Sequence, residues 1–236
     1  MGELELLARG RDADVFALDD RRVLRRYRRG GDVRGEAEVM RHAAAHGVAV
    51  PLVYGADGTD LVLERLDGPT LAQALFSGRT DVPTAARLIV DAQTALHRIP
   101  PPRSSGDPAV RLLHLDLHPE NIMLGAHGAV LIDWRNAEAG PPELDVAVSA
   151  LILAEVAVDL SGSLVPPVIG STKARVTEIA DALLTAYLAG SPTGPGGHLA
   201  EAARRRRINP NLSTAEKGRL DEAVALVRER EHAVHR

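Results

Sequence analysis

The sequence predicts an α+β chain in two lobes: a small antiparallel sheet with one helix over residues 1–66, and a larger, mainly helical lobe over residues 67–236. Three observations carry this. Short alternating apolar runs crowd the first 66 positions, with one helical segment among them. Helical spacing dominates afterwards. Between the two, LDGPTL at 66–71 is a Gly-Pro connector with a hinge at about 64–68.

ELELLA (3–8), DVFAL (14–18) and RRVLRRY (21–27) read as three strands, the first two joined by RGRDA and the last two by a turn at Asp19-Asp20. Residues 32–46 form a helix with Val33, Ala37, Met40 and Ala44 on one face, Asp32 as its cap and Gly47 as its stop. Two strands, 52–55 and 60–66, flank an ADGTD turn. Past the connector come a short helix at TLAQALF and a stronger one at 83–98, with Pro83 in its first turn. PPPRSSGDP (100–108) is a loop, and NIML (121–124) with AVLID (129–133) form a hairpin. Helices fill 143–158, 171–189, 198–206 and 214–232, the last with Ser213 and Glu216 in capping-box spacing; SPTGPGGH (191–198) is the expected flexible loop.

Composition narrows the chemistry. With no cysteine, the 236 residues have no disulfide, thiolate metal site or cysteine nucleophile. A net charge of −4 implies no general attraction to nucleic acid. The longest apolar run, 146–158, is too short and too acidic to span a bilayer, and MGELELLARGRD lacks the pattern of a signal peptide, so a soluble cytoplasmic protein is expected. Oligomeric state is not legible. The only lysines are Lys173 and Lys217, so a phosphate contact in the first lobe falls to arginine, histidine or backbone.

HLDLHPEN at 114–121 fits two chemistries. As a strand, His114, Asp116 and His118 share one face and are candidate metal ligands, although His97, His127 and His198 add no ligand-type spacing. As a loop, the stretch holds a base and a metal-binding amide for phosphoryl transfer. The hairpin favours the loop, because it brings Asn121 near Asp133 of the IDW at 132–134, with Asp116 just ahead of the first strand. Hard oxygen donors of this kind suit Mg²⁺ completed by phosphate oxygens.

With those two motifs in register, the chain resembles the aminoglycoside phosphotransferase and choline kinase family, which has a protein-kinase-like fold. The resemblance covers about residues 4–160, with Leu115 where the family has glycine. It implies Asp116 as catalytic base, His118 at the transferring phosphate, His114 as a structural brace, and Asn121 and Asp133 as Mg²⁺ ligands. Asp145 in GPPELD would steady the loop. Arg25 would stand where protein kinases carry lysine, paired with Glu36 (Glu38 being the alternative). Arg11 would serve the phosphate loop, the backbone of Glu64 and Leu66 would meet adenine, and Met123 and Ile132 would floor the base. The cofactors implied are ATP and Mg²⁺. The short spacing from Asp133 to Asp145 leaves no room for an activation segment, so the acceptor is expected to be a small molecule with a hydroxyl. Arg25 for lysine and the single glycine of RGRDAD motivate the alternative, a nucleotide-binding pseudokinase or partner-binding protein.

Several residues keep two readings. Glu138, Glu143, Glu155 and Asp159 face a cationic substrate or plain solvent. Trp134 packs in the core or touches substrate. The RRRR run at 204–207 reads as a solvated helix face, with an anion patch as the weaker reading.

Overall fold

The structure is a computed structural model. It describes residues 4–103, 106–126, 128–159 and 173–234; the predicted starts at 3 and 171, and His127, lie outside them.

The first lobe is a five-stranded antiparallel sheet. Its strands are β1 (Leu6–Arg9), β2 (Ala13–Ala17), β3 (Arg22–Tyr27), β4 (Val53–Asp57) and β5 (Asp60–Glu64), in spatial order β1-β2-β3-β5-β4. Alternation sets its faces: on β5, Leu61 and Leu63 are buried while Val62 is half-buried. The register pairs Arg25 with both Val15 and Leu61, which fixes Arg25 at the centre of the sheet. Helix α1 (Arg34–Ala45) buries Glu36, Ala37, Met40 and Ala43 at helical spacing. Its start differs from the expected one. Val33 is the N-cap and offers no side-chain cap; Asp32, one residue earlier, accepts from Arg34 N at 3.0 Å.

Gly68 in the connector has φ +124°, and a Cβ there would collide with the Leu124 carbonyl oxygen. Only glycine lets the connector press this closely on the hairpin. Beyond it come α2 (Leu71–Phe76), capped by a Thr70–Gln73 box, and α3 (Val82–Leu96), capped by Asp81. The predicted hairpin forms as β7 (Ile122–Gly125) and β8 (Gly128–Leu131). A second antiparallel pair, β6 (Arg111–Leu113) with β9 (Glu138–Gly140), escaped the sequence reading because three-residue strands carry too little periodicity.

The second lobe is built on α4 (Pro142–Ala157), buried almost all round. Around it pack α5 (Lys173–Gly190), α6 (Leu199–Ile208) and α8 (Leu220–Val234), with α7 (Thr214–Gly218) against α8. The single helix expected over 214–232 is two, with Arg219 as the C-cap of α7; the Ser213–Glu216 capping box is present. Trp134 belongs to the core: it is 1% exposed and its Nε1 donates to Leu131 O at 3.0 Å. No helix among the described residues is long and apolar enough to cross a membrane; the apolar run at 146–158 is the core helix α4.

Candidate active site

The chain does not run straight through HLDLHPEN. Leu115 has φ +58°, a left-handed value that an ordinary strand never reaches, so His114 and Asp116 do not share a face. His114 turns into the core, where its Nε2 lies 3.1 Å from Ile132 O and its ring 4.9 Å from Trp134. Among the described residues, no three His, Asp or Glu side chains gather as a metal cluster. The strand-borne His-Asp-His reading therefore fails on geometry.

The turn is held from beneath. Asp145, fully buried in the first turn of α4, accepts Leu115 N at 2.6 Å and His114 N at 3.3 Å. His97 Nε2 meets the same carboxylate at 2.9 Å. Burial alone would raise the Asp145 pKa, yet His97, His114 and the Leu115 N–H hold it below the ordinary value. Leu115 and Leu117 are both buried, and they hold the loop in the core.

Asp116 faces a cleft cavity of about 1150 Å³ that runs between the lobes. Its Oδ2 accepts from Asn136 Nδ2 at 3.3 Å. Asn121 donates its Nδ2 to Asp116 O at 2.8 Å, which aims its Oδ1 as the remaining acceptor. Asp133 follows β8 with φ +64°.

Arg25 reaches down from the sheet and joins the two lobes. Its Nη2 is 2.5 Å from Asp133 Oδ1 and its Nη1 is 3.2 Å from Glu36 Oε1. Glu36 in turn accepts from Tyr27 OH at 2.7 Å. Burial opposes charge on Arg25, but Asp133, Tyr27 and Glu36 raise its pKa above the usual value. Burial opposes charge on Asp133 too, and Arg25 keeps that carboxylate below its ordinary range. Glu38, the alternative partner, lies instead 3.7 Å from Arg103. Glu64, Leu66, Met123 and Ile132 line the same cavity, Glu64 ending β5, Met123 within β7 and Ile132 just after β8.

Two expected contacts are arranged differently. Arg11 lines the cavity, but its Nη1 is bound to Glu216 at 2.9 Å, so the first lobe is tied to α7 instead of presenting a free guanidinium. His118 lies 3.9 Å from Asp116, and its Nδ1 accepts from Glu120 N at 3.4 Å. Desolvation lowers its pKa, against the opposing pull of Asp116 and Glu120.

Arg206 is the site residue that sequence reasoning missed. It lines the cavity with Nε and Nη2 on the buried Glu155 at 2.8 and 2.7 Å. The RRRR run hid it, because helical period turns one of four arginines inward while Arg204 and Arg207 stay exposed.

The fold has known counterparts. A choline/ethanolamine kinase family protein from Mesorhizobium loti superposes with a TM-score of 0.57 at 18% identity, covering 99% of this chain and 92% of that one. The aminoglycoside phosphotransferase APH(4)-Ia does so with a TM-score of 0.55 at 15% identity, over 98% and 92%. A thermostable mutant of that enzyme, in a ternary complex with ADP and hygromycin B, gives 0.53 at 15% identity over 95% and 94%. No curated protein matches the chain. The profile of the phosphotransferase enzyme family matches residues 3–109 and 103–190. Most of the sequence is thereby accounted for, from the sheet through α5, and the chain belongs to the phosphotransferase enzyme family.

Proposed function

We propose that the protein is an ATP- and Mg²⁺-dependent phosphotransferase that moves the γ-phosphate to a hydroxyl of a small molecule. Residues 1–66 serve as the nucleotide lobe, 64–68 as the hinge and 67–236 as the catalytic and acceptor lobe. One observation carries the reading: Asp116, Asn121 and Asp133 converge on one interlobe cavity into which Arg25 reaches from the sheet.

In this reading the acceptor oxygen attacks the γ-phosphorus in line, the bond from that phosphorus to the β–γ bridging oxygen breaks, and ADP leaves. Asp116 orients the hydroxyl and takes its proton. Asn121 Oδ1 and the Asp133 carboxylate would hold Mg²⁺; both are hard oxygen donors, and the Asn121 amide is already turned by its bond to Asp116 O. When bound, the ion supplies charge neutralisation to the phosphates. Arg25, anchored by Glu36, brings a fixed positive charge to the same phosphates. His118 would meet the same phosphates through a hydrogen bond. Leu66 backbone, with Met123 and Ile132, would seat the adenine ring.

The Arg25–Asp133 contact also favours the second reading, a nucleotide binder with little turnover, because a guanidinium already sits on a metal ligand. The three intact polar residues oppose it. A thermal-shift titration with ATP, with and without Mg²⁺, is the primary test. A nucleotide at 100 times its Kd stabilises the fold by about 2.7 kcal/mol. A Mg²⁺-dependent shift followed by acceptor-dependent ADP release supports the kinase, a shift without release supports the binder, and no shift sinks both.

A further inference from the structure

Three of the four acidic residues that could face a cationic acceptor are already paired. Glu155 holds Arg206 through two hydrogen bonds; Asp159 lies 3.0 Å from Arg219, and Glu138 2.8 Å from Arg205. The fourth, Glu143, is in the first turn of α4 and is not on the cavity wall. On the half of the cavity beyond Asp116, the carboxylates without an arginine or lysine partner among the described residues are Asp116 itself, with His118 at 3.9 Å, and Glu120, which is exposed. Residues 160–172 contain no Asp, Glu, Lys or Arg, so their sequence adds no charge.

Beside Asn136, Asn209 and Asn211, that wall carries an apolar stripe. Ile152 and Val156 stand one turn apart on α4, and Ile179 and Leu183 one turn apart on α5, with Ala180 beside them. Arg206 lines the same cavity and brings a charged group to it. Its Nε and Nη2 are committed to Glu155, which is 2% exposed, so the guanidinium is fixed in place. Its Nη1 makes no hydrogen bond among the described residues. Burial works against its charge, and Glu155, Asp116 and Glu216 keep it protonated. A guanidinium has donors only. It binds an oxygen acceptor well, and it repels an ammonium, which brings donors and a like charge.

We propose that the acceptor carries no positive charge: it is a hydroxyl compound whose apolar face lies on the α4–α5 stripe and whose hydroxyl, carbonyl or carboxylate oxygen accepts from Arg206 Nη1. Arg206 is thus a specificity-determining residue. The inference rests on the phosphotransferase reading above and sets this chain apart from structural neighbours solved with gentamicin or hygromycin B.

The test is transfer of labelled γ-phosphate from Mg·ATP by the full chain, against hydroxyl compounds sorted by charge. The set includes hexyl glucoside, hexyl glucuronide, hexyl 2-amino-2-deoxyglucoside, gentamicin and hygromycin B. Uncharged or anionic apolar members are expected to lead in kcat/KM. Leadership by the amino sugar or by either antibiotic overturns the proposal and leaves the kinase reading standing. Failure of the Mg²⁺-dependent ATP shift would instead sink the kinase reading. For the best acceptor, Arg206→Met is expected to raise its KM roughly 10- to 100-fold, as loss of a charged hydrogen bond does, with kcat and the ATP KM little changed. Because this variant strands a buried carboxylate, the double variant Glu155→Gln/Arg206→Met is run beside it. An unchanged acceptor KM in the folded double variant overturns the role of Arg206.

Discussion

The loops at 114–121 and at 9–14 both line the cavity, and they are held in opposite ways. The first is fixed from inside. Asp145 takes two backbone N–H groups, Asn121 ties down Asp116 O, and Leu115 and Leu117 are buried. The second is fixed from outside by arginines. Arg28 reaches Asp14 at 2.5 Å and Gly10 O at 2.8 Å, Arg29 reaches Asn211 Oδ1 at 3.1 Å, and the half-exposed Arg11 reaches Glu216. Buried hydrogen bonds are insensitive to salt, whereas exposed ion pairs are weak and screened. The 114–121 side of the cleft is thus the rigid side, and the 9–14 side, which the proposed function places over the phosphates, is the adjustable one.

The largest effect should come from the catalytic loop. Asp116→Asn is expected to cut transfer roughly a thousandfold while ATP still binds, read as ADP release beside a thermal shift. Persisting transfer would remove Asp116 as base. Next, Asp145→Asn leaves buried N–H groups short of a charged acceptor and should cost about 3 kcal/mol in urea unfolding. This effect has a pH signature. The folded Asp145 pKa lies below its unfolded value of about 4, so the contribution is full above that pH and is lost as pH falls through the folded pKa. The stability curves of the wild type and of the Asp145→Asn variant should therefore converge toward low pH, and parallel curves would refute the assignment.

A smaller effect is expected at Leu115. Glycine at this position relieves about 1 to 2 kcal/mol of left-handed strain but gives up a buried side chain and adds unfolded-state freedom. Leu115→Gly should thus destabilise by only about 2 kcal/mol, against about 3 for Leu117→Ala, where no strain is released. The smallest change belongs to the other loop. Arg11→Gln should alter stability by less than about 1 kcal/mol. It should nonetheless increase proteolytic cutting near residues 9–14, as should about 1 M salt in the wild type. Equal protection in all three would mean that the latch to α7 does not hold the loop.

The same contrast explains what was legible in the sequence. The five strands, α1 and the hairpin follow from alternation and helical period, and Asp116, Asn121 and Asp133 sit in motifs whose spacing is short and local. The bond from Asp145 to Leu115 crosses 30 residues, and the motif alone did not reveal that Leu115 takes a glycine-like conformation. Arg11–Glu216 crosses 205 residues and Arg206–Glu155 crosses 51. No local pattern announces such partners. An arginine-rich composition hides them further, since 26 arginines make every carboxylate look equally matched (28 Lys+Arg less Lys173 and Lys217). The break between α7 and α8 falls at Gly218 and Arg219, and a single glycine inside a helical period does not by itself mark a helix end.

Arg25 wedged between Glu36 and Asp133 has one more consequence, for how such a protein is noticed. Reactive acyl-phosphate nucleotides, used to tag nucleotide sites in crude extracts, acylate a lysine amine beside the phosphates. In the site proposed above, that place would hold the Arg25 guanidinium, which does not acylate under those conditions, and the first lysine in the chain is residue 173. If the proposed nucleotide site is correct, a survey built on that amine would find none there, and Arg25→Lys would supply one.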